Sequence, residues 1–190
     1  MLVSADLSIL LIHQVLFQGM FATKNILLKR SLGKPIRGWN KEATASIVFF
    51  VIYIALSMVI ASRCTPAGKL ALLNELQATF IAGAILLLNL LVSALSLLHL
   101  RDSWRVGVLE DQSTDLVTTG IYGFSRNPYF LAYMLMFLAY PILLQNWLLL
   151  VLSLIGCAMI HWMVLKEERH LLSAHRKSYL EYKQNTRRYL

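Results

Sequence analysis

Two short stretches of this chain carry residue types and spacings that can do chemistry: Ser125-Arg126-Asn127-Pro128-Tyr129 and the adjacent carboxylates Glu167-Glu168. Asn127 is a favoured N-cap residue and Pro128 a favoured first helical residue, so the first stretch opens a helix. A helix start with an arginine beside it is a ready site for a carboxylate or a phosphate. The two glutamates directly follow an apolar stretch. A carboxylate at a helix C-terminal end meets an unfavourable dipole and is costly near hydrocarbon, so it calls for a partner. Nearby basic side chains are one such partner and a cationic ligand group is another. The dipole argument weakens if the helix continues through Lys166.

The elements that position these residues are apolar. Of the 190 residues, 57% are hydrophobic and 15% charged, too apolar for a soluble domain of this size. Five apolar segments stand out, at residues 7–22, 44–61, 76–98, 129–144 and 147–165. A bilayer core of about 30 Å needs about 20 helical residues. The second, third and fifth segments meet that length. The first and fourth are short, and the first also carries His13, Gln14 and Gln18, so it reads as a weak span or an interfacial helix. Between the fourth and fifth lie only Gln145 and Asn146, with Pro141 just before, which predicts a tight helical hairpin. The fold class is therefore all-α: a polytopic membrane bundle of about five transmembrane helices with a cytoplasmic C-terminal helix. Residues 2–21 carry Asp6 early, lack a basic start and have no small-residue cleavage pattern, so no signal peptide is expected.

Charge sets the orientation. All but two of the 18 lysines and arginines lie in the connection between the first two segments, the connection after the third, or the tail. Only Arg63 and Lys69 lie on the other side. The excess of basic residues marks the cytoplasmic face, so the N-terminus is expected outside and the tail inside. The formal charge of +8 is answered by anionic lipid headgroups, and no nucleic acid is expected as a partner.

Both chemical stretches then fall on one side. The connection from His99 to Asn127, about 30 residues, is far longer than a hairpin turn requires, and such loops are usually functional or disordered. Gly120-x-x-Gly123 within it lacks the strand and helix setting of a phosphate-binding loop and reads as turn material. The tail keeps helical spacing through Leu171, Leu172, Tyr179 and Tyr182. His13, His99, His161, His170 and His175 show no metal-ligand pattern, and Cys64 and Cys157 indicate neither a disulfide framework nor a thiolate site, so no metal is expected. Trp39, Trp104, Trp147 and Trp162 fit interfacial anchoring.

From about Leu98 to Leu190 the chain resembles the isoprenylcysteine carboxyl methyltransferase and phospholipid N-methyltransferase superfamily of membrane enzymes. The resemblance rests on Ser103-Trp104-Arg105-Val106-Gly107, then Leu116-Val117-Thr118-Thr119-Gly120-Ile121-Tyr122 and Arg126-Asn127-Pro128-Tyr129. It continues through the hairpin, Glu167-Glu168, and Tyr179-x-x-Tyr182 before Arg187-Arg188. It implies one integral membrane domain over residues 1–190, with N-terminal spans to residue 98 and a cofactor-binding methyltransferase core over 99–190. It also implies S-adenosylmethionine as methyl donor, in a cytoplasm-facing pocket closed by the tail. The family's cofactor positions fall on Leu116, Val117, Tyr122, Asn127, Pro128, Tyr129 and Glu167, with Arg126 and Glu168 as motif neighbours. On that reading Arg126 and the helix start suit the cofactor's carboxylate, and Glu167 or Glu168 suits its ammonium. Tyr122, Leu116 and Val117 line the adenine.

Two departures bear on the reaction. The family usually has His after the Arg, whereas Asn127 stands here and cannot titrate near neutral pH. Carboxyl methyltransferase members tend to carry a basic substrate-binding residue one turn before the Glu pair, and here that place is Met163, which removes support for isoprenylcysteine as the substrate. The expected function is methyl transfer to a lipophilic or small hydrophobic acceptor bearing a carboxylate, thiol or amine, with no general base assigned. Two other readings stand beside it. An NADPH-dependent reductase of the sterol reductase type would want a denser set of basic residues around its phosphates. A non-catalytic membrane protein on the same scaffold would bind no cofactor.

Overall fold

A computed structural model describes residues 4–32, 41–63, 68–70, 72–103 and 115–189. The sequence features at Trp39, Cys64 and Trp104-Arg105-Val106-Gly107 lie outside the described residues. The described residues form five α-helices: α1 (Ala5–Leu32), α2 (Lys41–Arg63), α3 (Glu75–His99), α4 (Pro128–Leu144) and α5 (Trp147–Asn185). Short 3-10 helices occupy Arg101–Ser103 and Gly120–Gly123. The helices α1, α2, α3 and α5 are each long and apolar enough to cross a membrane, while α4, at 17 residues, is shorter. Outward-facing leucines, valines, isoleucines and phenylalanines cover them, as lipid contact requires.

The first helix departs from the short, weak segment expected from residues 7–22. It runs for 28 residues, about 42 Å at the α-helical rise. The polar residues that interrupt its apolar run turn inward and are satisfied there. His13 Nε2 lies 2.9 Å from Asn89 Oδ1, and Nδ1 lies 2.9 Å from the Tyr140 hydroxyl. Asn89 Nδ2 donates to the Ala132 carbonyl at 2.6 Å, which leaves Oδ1 to accept from His13. Nε2 therefore carries the hydrogen, Nδ1 accepts from Tyr140, and the Tyr140 oxygen accepts from Gln14 Nε2 at 2.6 Å. One directed chain of hydrogen bonds thus joins α1, α3 and α4 inside the apolar bundle. A second polar tie, Tyr53 to Ser153 at 2.8 Å, holds α2 to α5.

The expected hairpin is present. Gln145 takes the left-handed conformation (φ 41°, ψ 55°) and ends α4; Asn146 then caps α5, accepting from the Leu148 and Leu149 amides at 3.0 and 3.2 Å. Gly156 lets the pair pack closely, since a Cβ there would meet the Phe137 ring at 2.6 Å. Leu70 and Trp147 exchange backbone bonds with Gln145 and Gly68, so the segment before α3 lies over this turn. Ser4 Oγ donates to the Ala61 carbonyl, bringing the start of α1 beside the end of α2. The long connection, the start of α4 and the C-terminal segment meet at the opposite end of the bundle, through the bond from the Arg126 amide to the Arg187 carbonyl.

Candidate functional site

The extra length of α5 builds the site. About 20 of its 39 residues suffice to cross a bilayer, so the helix carries Glu167 and Glu168 beyond the apolar stretch. It continues through Lys166, which removes the dipole penalty that a helix end at this point would impose. Its regularity breaks at Arg176 (φ 43°, ψ −109°), and the segment beyond returns toward the start of α4. There Ser125 and Arg187 pair as a parallel bridge. Ser125 Oγ donates to the Arg188 carbonyl at 3.2 Å, and the Tyr182 hydroxyl donates to the Tyr122 carbonyl at 2.6 Å. At the last described residue, the Tyr189 hydroxyl lies 2.9 Å from His161 Nδ1.

Glu168 is the centre of this closure. Arg126 reaches its Oε1 through Nε at 3.3 Å and NH2 at 3.1 Å. Arg188 reaches Oε1 through Nε at 3.1 Å and Oε2 through NH2 at 3.0 Å, and Asn127 Nδ2 donates to Oε1 at 3.0 Å. The second terminal nitrogen of Arg126 donates to the Thr186 and Lys183 carbonyls. Burial alone would raise the Glu168 carboxyl, but Arg188 and Arg126 together outweigh it and hold the group below the ordinary carboxylate range. Asn127 precedes the first residue of α4 as expected, yet its side chain makes no cap bond and serves Glu168 instead.

Glu167 is the reverse case. Protein atoms surround it, while part of its surface stays accessible, and no hydrogen bond or ion pair reaches its carboxylate among the described residues. Burial raises its carboxyl, with His170 partly offsetting the effect. Tyr122 is buried nearby; its phenol is pushed well up by burial, then by Tyr182 and Glu167. Tyr179 is buried on the tail side, and its phenol rises to about 12 through burial and Glu168, with Arg126 and Arg188 opposing.

The structure thus brings together Arg126, Asn127 and Glu168 and sets Tyr122 and Glu167 beside them. Pro128 and Tyr129 are buried in the first turn of α4. Leu116 and Val117 are half-buried on a stretch without regular secondary structure, with no described hydrogen bond to the others. Gly120, between that stretch and Tyr122, has φ +64°, and a Cβ there would lie 2.0 Å from the His99 ring, so the turn needs glycine twice over. Thr186 was not expected at the site, and Ser125 and Arg188 lie in stretches the sequence marks but outside the expected cofactor positions. The Arg187-Arg188 pair did carry a signal: a carboxylate near the membrane requires a cation, and the tail supplies Arg188 to Glu168.

A bundle of apolar helices with a charged, tail-closed cluster at one end is the architecture of a polytopic membrane protein. The chain belongs to the phospholipid methyltransferase family, which it matches over residues 78–178, from α3 into the second part of α5. The protein is accordingly a membrane methyltransferase. No curated protein sequence matches the chain.

Proposed function

We propose that this protein transfers a methyl group from S-adenosylmethionine to a lipophilic or small hydrophobic acceptor taken from the bilayer, with its cofactor site and tail on the cytoplasmic side. The observation that carries the reading is Glu167: an enclosed yet partly accessible carboxylate with no hydrogen bond or ion pair among the described residues, beside a Glu168 held by Arg126, Arg188 and Asn127. An unpaired carboxylate at such a depth suits a cationic ligand group, and the methionyl end of the cofactor has an ammonium.

The residues fit that group with one change of assignment. Arg126 is committed to Glu168 and to tail carbonyls, so the ligand's carboxylate falls to the start of α4 at Asn127, Pro128 and Tyr129. Glu167 takes the ammonium, and Tyr122 with Leu116 and Val117 flanks the adenine. When bound, the cofactor supplies an electrophilic methyl on a sulfonium. The protein's part is to align donor and acceptor and to exclude water, which favours in-line displacement. The Glu168 closure does this by holding the tail against α4. The concentration of basic residues at this end of the bundle supports the cytoplasmic placement.

Calorimetric titration of the detergent-purified protein tests the reading. Saturable binding of S-adenosylhomocysteine, lost in Glu167→Gln, is the expected result. Binding of NADPH alone would favour a reductase, and binding of neither would favour a non-catalytic role.

A further inference from the structure

His99 ends α3, and its Nδ1 lies 2.8 Å from the Leu95 carbonyl oxygen one turn back. A carbonyl oxygen only accepts, so Nδ1 carries the hydrogen, and in the neutral ring Nε2 presents a lone pair. No described residue donates to Nε2. The side chain is only partly buried, so the ring is not sealed inside the bundle. An acceptor is thus left open.

Its place is fixed by contacts on two sides. A Cβ on Gly120 would fall 2.0 Å from His99 Cδ2 and 2.4 Å from Nε2, so the ring edge bearing Nε2 lies directly against that turn. Gly120 joins the stretch of Leu116 and Val117 to the 3-10 turn that presents Tyr122. From the other direction the Tyr182 hydroxyl holds the Tyr122 carbonyl at 2.6 Å, so the tail and His99 both fix this turn. Two positions before His99, Leu97 packs with Tyr129 of the first turn of α4. The end of α3 therefore meets both stretches of the proposed cofactor site, and it brings an imidazole to them.

We propose that His99 Nε2 accepts a hydrogen bond from the 6-amino group of the cofactor's adenine and so selects that base among purines. This rests on the methyltransferase reading and on the placing of adenine beside Tyr122, Leu116 and Val117. An open acceptor at the edge of a flat aromatic base suits an exocyclic amine. The ligand's other nitrogen donor, the ammonium, falls to Glu167. A site built to pair with an N–H group discriminates against an analogue without it, because the protein acceptor is then left unpaired.

Calorimetric titration of the full-length protein in detergent, in mildly alkaline buffer, compares S-adenosylhomocysteine with the analogue whose purine lacks the 6-amino group. Wild-type protein should bind the analogue about tenfold more weakly, the worth of one hydrogen bond. His99→Phe keeps a ring against Gly120 but offers no nitrogen, so its two affinities should come within about twofold of each other. His99→Leu, which relaxes the contact with Gly120, should show the same collapse. A purely structural role for His99 would weaken both ligands in parallel and keep their ratio. Equal affinities in the wild type would overturn the proposal, as would a tenfold preference that survives in the folded variants. In either case S-adenosylhomocysteine still binds and the methyltransferase reading stands. Binding of neither ligand by the wild type would sink that reading and the proposal with it.

Discussion

Arg188 reaches back 20 residues along the chain to place its guanidinium 3.0 Å from the carboxylate of Glu168. Arg126 approaches the same carboxylate from the other side at 3.1 Å. One buried anion therefore gathers three parts of the chain: the end of the long connection, the middle of α5 and the C-terminal segment. The two ion pairs are unequal. The Arg126 side chain is 7% exposed and that of Arg188 33% exposed, so water screens the second pair far more than the first.

That inequality predicts different losses for two substitutions. Glu168→Gln leaves Arg126 buried without its anion and should cost about 3–5 kcal/mol of stability. Arg188→Ala removes the screened partner and should cost about 1 kcal/mol. Denaturant unfolding in detergent measures both. Hydrogen exchange adds the location: in Arg188→Ala, faster exchange should be confined to residues 177–189. Equal losses in the two variants would mean that Glu168 does not organise the closure.

The same carboxylate sets an acid limit. Because its folded pKa lies below the unfolded value, its stabilising contribution is present above the ordinary carboxylate range and is lost as pH falls through the folded value. Tail protection should therefore persist down to mildly acidic pH and fail at lower pH, while exchange in α3 stays slow. Hydrogen exchange across a pH series, corrected for intrinsic rates, reads this directly. In Glu168→Gln the acid transition of the tail should be absent.

Glu167 has the opposite sign. Its folded pKa is raised, so the free protein is penalised for carrying the charge as pH rises through that value. Glu167→Gln should consequently raise the melting temperature of the ligand-free protein at neutral pH while abolishing S-adenosylhomocysteine binding. An ammonium ligand pairs with the ionised form. Affinity in the wild type should thus fall as pH drops through the raised pKa, with a proton released on binding in that range. Calorimetry in two buffers of different ionisation enthalpy counts the proton. A destabilised Glu167→Gln variant would argue for a structural carboxylate.

Local signals in the sequence marked some of this architecture clearly. Two residues between apolar runs, Gln145 and Asn146, leave room only for a tight hairpin, and Pro128 fixes where α4 begins. What stayed hidden depended on partners far along the chain. His13, Gln14 and Gln18 made α1 look short because their apolar run is broken, and only the fold reveals that residues 76 and 127 positions away satisfy His13. Asn127 has every property of a cap, but a buried carboxylate 41 positions on claims its amide. Arg126 likewise had several possible partners, and the choice among them is a tertiary fact.

The polar chain through His13 gives a further prediction, because its energetics should depend on whether one partner or both are removed. Asn89→Leu leaves the buried His13 Nε2–H facing a hydrocarbon side chain in place of the lost oxygen. Polar ties between membrane helices average about 0.6 kcal/mol and reach about 1.7, so a loss of about 1 kcal/mol is expected. His13→Leu alone should cost a similar amount, since it strands Asn89 Oδ1 and removes the acceptor of the Tyr140 hydroxyl. With both changed, neither unsatisfied group remains across that contact, and two apolar side chains meet in its place. The double variant should therefore lose less stability than the two single losses added together. Unfolding in detergent of all three variants measures the difference. Strict additivity would mean that His13 and Asn89 are not coupled, and that their contact does not help to hold α1 against α3.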